Sequence, residues 1–107
     1  MKKILLVEDD AILLQMYKDG LREAGFVVET ADTGDKAIVR VKSFLPDLVL
    51  LDIMLPGNLN GFDVLESMQR DPHLKDIPVV MLTNLDSEKE TALKIGAIVS
   101  RQAGTMF

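Results

Sequence analysis

The chain has 107 residues, enough for one domain with a core of its own, and its 12 basic and 17 acidic side chains give a net charge of −5. This charge argues against direct nucleic-acid binding, and the lack of cysteine excludes disulfides, thiolate metal sites and a cysteine nucleophile. The apolar runs are too short to span a bilayer, and acidic residues 8–10 interrupt the first before it reaches signal-peptide length, so we expect a cytoplasmic protein.

Strands and helices alternate along the chain. Apolar runs predict strands at residues 3–7, 26–31, 48–51 and 77–82, and a fifth strand beginning at Ile98. Asp10, Thr33 and Ser87 are typical helix caps, and a further helix is expected to begin at Gly61. Alternation at this spacing indicates βαβ units and a parallel sheet. We therefore expect a single α/β domain over residues 1–107.

The third strand is the centre of the predicted sheet. Its run of Leu48 to Leu51 is apolar without alternation, which is typical of a parallel strand covered on both faces. Asp52 follows at once, and Pro56 and Gly57 come shortly after it. Open α/β sheets bind ligands at the carboxyl ends of their strands. Asp52 is therefore a candidate site residue.

Polar side chains follow three of the predicted strands. Glu8, Asp9 and Asp10 come after the first strand, Asp52 after the third and Thr83 after the fourth. Each acid taken alone is explained by helix capping or by the helix dipole, but together their mutual repulsion calls for a bound cation. Carboxylates without nearby His or Cys suit Mg²⁺. A carboxylate beside Mg²⁺ can attack phosphorus, so Asp52 is the candidate nucleophile and the Thr83 hydroxyl a candidate donor to the phosphoryl group.

Several motifs resemble the receiver domain of bacterial two-component response regulators. They cover about residues 2–97 and are Ile4–Asp10, Pro46–Gly57, Asn60–Gly61, Pro78–Thr83 and Gly96–Ala97. The resemblance implies a flavodoxin-like, doubly wound parallel sheet of order 2-1-3-4-5. It also implies a phosphoryl group passed from a histidine kinase or phosphotransfer protein to Asp52, Thr83 as the switch hydroxyl, and an unidentified downstream protein target.

The same resemblance implies a ligand set for Mg²⁺. Asp9 or Asp10, Asp52 and the backbone carbonyl of Met54 would hold the ion. The loop from Gly57 to Gly61 is one residue longer than the common pattern, which a surface loop tolerates.

The C-terminal residues 98–107 depart from the family pattern. The family lysine after the Gly-Ala pair is missing, and Arg101 is the candidate surrogate, although its planar guanidinium is not equivalent to an ammonium group. The last strand is short, and the chain ends where the family's fifth helix should begin. We expect the uncovered apolar face on the first, third and fourth strands to promote self-association or segment exchange.

Two other functions fit parts of the pattern. A pseudo-receiver or interaction scaffold would share the fold without switching on phosphorylation, because the lysine is missing. An aspartyl-nucleophile phosphatase requires a second Asp two residues after the nucleophile, and position 54 is Met. Under the leading interpretation the chain is not an enzyme, and catalyses at most its own phosphorylation and dephosphorylation.

Overall fold

Strands and helices alternate in the computed structural model, which describes residues 2–82 and the backbone of residues 98–100. The strands are β1 (Lys3–Val7), β2 (Val27–Ala31), β3 (Leu48–Asp52), β4 (Val79–Leu82) and β5 (Ile98–Ser100). The helices are α1 (Ala11–Glu23), α2 (Gly34–Phe44) and α3 (Gly61–Arg70). The helix expected from Ser87 lies outside the described residues.

The strands form one parallel sheet in the order β2-β1-β3-β4-β5, which confirms the predicted order. β3 lies at the centre, between β1 and β4. Leu50 is level with Leu6 of β1 and with Val80 of β4. All strands run the same way, so their carboxyl ends meet at one edge of the sheet, and Asp52 ends the central strand at that edge.

Both faces of the sheet are covered, as the uniformly apolar third strand predicted. Alternate residues of β1, β3 and β4 pack under α2 and α3, and these include Leu5, Val7, Val49, Leu51 and Met81. The others pack against Tyr17 and Leu21 of α1, and these include Ile4, Leu6, Leu50 and Leu82. Side chains of a strand alternate between the two faces of the sheet. A strand covered by helices on both faces therefore needs apolar side chains at every position.

Side-chain caps fix where the helices begin. Asp10 accepts hydrogen bonds from the amides of Ile12 and Leu13, at 2.9 and 3.1 Å, and Thr33 accepts one from Lys36. Asn60 and Asp63 form a reciprocal capping box at the start of α3. The caps expected at Asp10 and Thr33 are therefore confirmed, because these oxygens satisfy amides that have no partner within the helix.

Two strands begin later than the sequence predicted. The Phe26 amide donates to Leu21 at the end of α1, so β2 begins at Val27. The Ile77 amide donates to Leu74 in the turn after α3, so β4 begins at Val79. In both places a local turn uses the amide that the sheet would need.

The apolar face expected to lack its fifth helix is largely buried. Ile4, Leu6 and Leu50 are almost fully buried, and Leu48 and Val80 are partly buried. These five positions therefore offer limited exposed surface, and the self-association expected from an uncovered face stays a prediction. No helix among the described residues is long and apolar enough to cross a membrane.

Candidate functional site

Three carboxyl groups meet at the carboxyl edge of the sheet. Glu8 follows β1 directly, Asp9 is next to it, and Asp52 ends the adjacent strand β3. One carboxylate oxygen from each lies within 4.8 Å of the others. The backbone fixes this arrangement, because parallel pairing brings Val7 level with Leu51 and the Glu8 amide donates to Ala31 of β2 at 3.0 Å.

Glu8 is the buried member of this carboxylate cluster, with only 4% of its surface exposed. Burial raises its pKa to about 8, and a hydrogen bond to Asp52 and the negative charges of Asp52 and Asp9 act in the same direction. Protonated Glu8 can donate to Asp52, whereas ionised Glu8 adds a third negative charge to the cluster. Without a cation, the site therefore favours a neutral Glu8 at neutral pH.

Tyr17 lies in the apolar layer of α1 that also contains Leu6 and Leu50. Its burial raises the pKa of the phenol, and the charges of Glu8 and Asp52 raise it further. Tyr17 itself is buried in this layer. The Tyr17 phenol therefore interacts electrostatically with the carboxylate cluster.

Counter-charges are lacking near the cluster in the part of the chain that the structure describes. The ion pairs within residues 2–82 join Lys36 to Asp32 and Arg70 to Glu66, on the surfaces of α2 and α3. Like charges this close repel one another and can recruit a cation. The three acids differ in exposure, since Glu8 is buried, Asp52 partly buried and Asp9 exposed. Such a site leaves room for the waters that Mg²⁺ retains, so the residues fit this ion.

The structure separates Asp10 from this cluster. Its carboxylate faces the amides of Ile12 and Leu13 as the cap of α1 and is not part of the three-residue group. Of the pair Asp9 and Asp10, it is Asp9 that lies beside Asp52. The predicted ligand set omitted Glu8, although the period-two pattern through Ile4 and Leu6 could have placed residue 8 on the same face.

The β3–α3 loop, residues 53–60, carries Met54 beside the cluster. The Met54 amide donates to an Asp52 carboxylate oxygen at 3.2 Å, which orients that carboxylate. The Met54 side chain is 73% exposed, so its burial does not hold this part of the loop in place. The Gly61 amide closes the loop by donating to the Ile53 carbonyl at 2.9 Å.

The fourth and fifth strands end level with Asp52. Asp52 is level with Leu82 of β4, and Leu82 is level with Ser100 of β5. Thr83 and Arg101 come next in the sequence and lie outside the described residues. Their predicted roles as switch hydroxyl and lysine surrogate therefore stay predictions.

Known proteins share this sequence pattern and this fold. The phosphate regulon transcriptional regulatory protein PhoB of Rhizobium meliloti is 37% identical over 97 residues, which cover 89% of this chain and 42% of PhoB. The non-phosphorylated HemR receiver domain of Leptospira biflexa superimposes with a TM-score of 0.85 at 33% identity, covering all of this chain and 84% of HemR's. The Mn²⁺-bound response regulator Rcp1 gives a TM-score of 0.84 at 26% identity, with 95% and 81% coverage.

The family model of the response regulator receiver domain matches residues 4–99. This range includes the three helices, the carboxylate cluster and all residues of the five strands except Lys3 and Ser100. The chain spans less than half the length of PhoB, so the match concerns only part of that relative. The chain belongs to the response regulator receiver domain family.

Proposed function

We propose that this receiver domain accepts a phosphoryl group on Asp52 from a histidine kinase or phosphotransfer protein. A carboxylate oxygen of Asp52 would attack the phosphorus, the bond from phosphorus to the donor nitrogen would break, and that nitrogen would keep the electron pair and take up a proton. The observation that carries this proposal is the cluster of Glu8, Asp9 and Asp52 at the end of the central strand.

Asp9, Asp52 and the Met54 carbonyl are the proposed ligands of Mg²⁺. The bound ion would neutralise charge on the transferring phosphoryl oxygens. The Met54 amide donates to one Asp52 oxygen, and the other oxygen would act as the nucleophile. Buried Glu8 would support Asp52 through the hydrogen bond between them. The Thr83 hydroxyl would donate to the phosphoryl group.

We propose a protein, and not a nucleic acid, as the direct downstream partner. PhoB is named as a transcriptional regulatory protein, and this chain matches 42% of it. The chain itself carries a net charge of −5, which disfavours contact with phosphate backbones. A switch of this kind would regulate an output domain or a separate target.

A non-switching scaffold of the same fold is the second candidate. The observation that favours it is the absence of any lysine after Lys94, where the family pattern places one. Mg²⁺ binding by itself does not separate the two candidates, because the carboxylates are present in both. Phosphorylation does separate them.

Intact mass spectrometry after incubation with acetyl phosphate and Mg²⁺ tests the proposal. We expect the mass of one phosphoryl group to be added, and the adduct to disappear in Asp52→Asn and with chelator. Asp35→Asn is the matched control, because it makes the same chemical change at an exposed position on α2. An unmodified parent protein would favour the scaffold, and an adduct that persists in Asp52→Asn would exclude Asp52 as the acceptor.

A further inference from the structure

The β3–α3 loop is held at both ends and at one point near its middle. Its ends are joined by the Gly61–Ile53 hydrogen bond, and Leu55 packs against the core under α2 and α3. Leu59, near the far end of the loop, contacts Gly34, the first residue of α2. This last contact joins the loop to a separate helix.

Gly34 leaves no space for a side chain. A Cβ atom placed there would lie 2.7 Å from both the Cβ and the carbonyl oxygen of Leu59, a distance that real Cβ atoms essentially never show. Gly34 is buried and helical, and Gly25 and Gly57 are the described glycines with positive φ. Helix propensity favours alanine over glycine, so close contact with the loop, and not backbone conformation, explains Gly34.

Residues 31–34, from the last residue of β2 to the first residue of α2, also hold Glu8 of the carboxylate cluster. The Ala31 carbonyl accepts the Glu8 amide at 3.0 Å, three residues before Gly34. Lys36 stabilises this connection through its amide, which donates to Thr33, and its ion pair with Asp32 at 3.0 Å. Glu8 and the β3–α3 loop, which carries Met54, are therefore both fixed relative to the same four residues.

We propose that Gly34 is a positioning residue of the Asp52 site, acting through Leu59 on the loop that carries Met54. An added methyl group at position 34 would displace Leu59 and loosen the loop whose Met54 amide orients the Asp52 carboxylate. The expected effect of this methyl group on Mg²⁺ binding rests on the proposed function. Its expected effect on the mobility of the loop is independent of that function.

Amide hydrogen exchange in metal-free protein tests the loop directly. Gly34→Ala is expected to speed exchange of the Gly61 amide and its neighbours in residues 53–61 by about tenfold, because local opening becomes easier. Gly25→Ala is the matched control: it is strained by a φ of 97° and has no atom within 4 Å of the new methyl group. Exchange rates over residues 53–61 that match the parent within about twofold would overturn the proposal.

Isothermal titration with Mg²⁺ then measures the effect on the site. We expect Gly34→Ala to weaken Mg²⁺ binding by about tenfold, the lower range for loss of a supporting contact, and Gly25→Ala to leave it near the parent value. Equal losses in both variants would indicate general destabilisation and contradict positioning. If the parent binds no Mg²⁺, the proposed function fails, while the exchange result still decides whether Gly34 holds the loop.

A second pair of variants approaches the contact from the loop, in case Gly34→Ala folds poorly. Leu59→Gly removes the Cβ atom that touches Gly34, and Asn58→Gly adds the same backbone freedom at an exposed neighbour. Faster exchange at Gly61 in Leu59→Gly than in Asn58→Gly supports the proposal. Equal rates in the two variants contradict it.

Discussion

At the residue scale, Glu8 is the group whose state depends most on its surroundings. It follows an apolar strand, is buried, and has two further acids within 4.8 Å. A carboxyl group in this position is more stable when protonated. The folded metal-free protein therefore holds a proton that the unfolded chain releases near pH 4.5.

This difference predicts how stability depends on pH. The pKa of Glu8 is about 8 in the folded state and 4.5 in the unfolded state. Its contribution to the free energy of unfolding is therefore fully present below pH 4.5 and is lost as pH rises toward 8. In the presence of chelator, the melting temperature should decrease as the pH is raised from 5 to 8. Glu8→Gln, which imitates the neutral carboxyl group, should flatten this part of the profile.

Circular dichroism melts of the parent and Glu8→Gln at pH 5, 6.5 and 8 provide the measurement. Glu23→Gln, at the exposed end of α1, is a matched control and should keep the parent's slope. Parallel profiles for the parent and Glu8→Gln would falsify the assignment of this pH dependence to Glu8.

At the element scale, the end of α2 carries local strain. Leu45 caps the helix with φ 47° and ψ 65°, the left-handed conformation that glycine adopts most easily. Its amide still donates to Val41, so the cap is formed, and half of the side chain (52%) is exposed. The strain therefore has little buried apolar area to offset it.

Leu45→Gly is expected to raise the free energy of unfolding by roughly 0.5 kcal/mol, the relief of left-handed strain less the greater chain entropy of glycine. Leu45→Ala removes the same side chain but keeps the strained conformation, so it should be about 1 kcal/mol less stable than Leu45→Gly. Urea unfolding measures both differences. If the alanine variant equals or exceeds the glycine variant in stability, strain at this cap is not the cause.

At the scale of the whole molecule, the sheet brings three acids together from two separate parts of the chain. Within residues 2–82 no ion pair compensates the negative charge of this cluster, since the ion pairs there involve other residues. A ligand that binds only the folded state stabilises it by mass action. Mg²⁺ bound at the proposed site would therefore make the stability of the whole domain depend on the ion.

Mg²⁺ at about 100 times its dissociation constant should stabilise the fold by about 2.7 kcal/mol, which for a domain of this size raises the melting midpoint by on the order of 10 °C. Differential scanning fluorimetry at constant ionic strength measures the shift. Asp52→Asn should lose most of it, and Asp35→Asn should retain it. An equal shift in Asp52→Asn would show that the ion acts elsewhere on the protein.

The sequence by itself determined the strand order, the caps at Asp10 and Thr33, and Asp52 at the end of the central strand. The strand positions and the caps follow from local signals, namely apolar runs of strand length and capping residues, whereas the strand order was implied by the resemblance of several motifs to the receiver family. The late starts of β2 and β4 were not predictable in the same way. They depend on where single amides find carbonyl partners.

Only the tertiary structure decided which acids form the cluster and what holds them. The sequence predicted the Asp10 cap but left Asp9 and Asp10 as alternative ligands; the structure places Asp9 beside Asp52, while Glu8, absent from the predicted ligand set, is buried there too. The contact between Gly34 and Leu59 likewise joins residues 25 positions apart in the sequence. Side-chain direction and close packing depend on neighbouring strands and helices, and local sequence patterns do not contain that information.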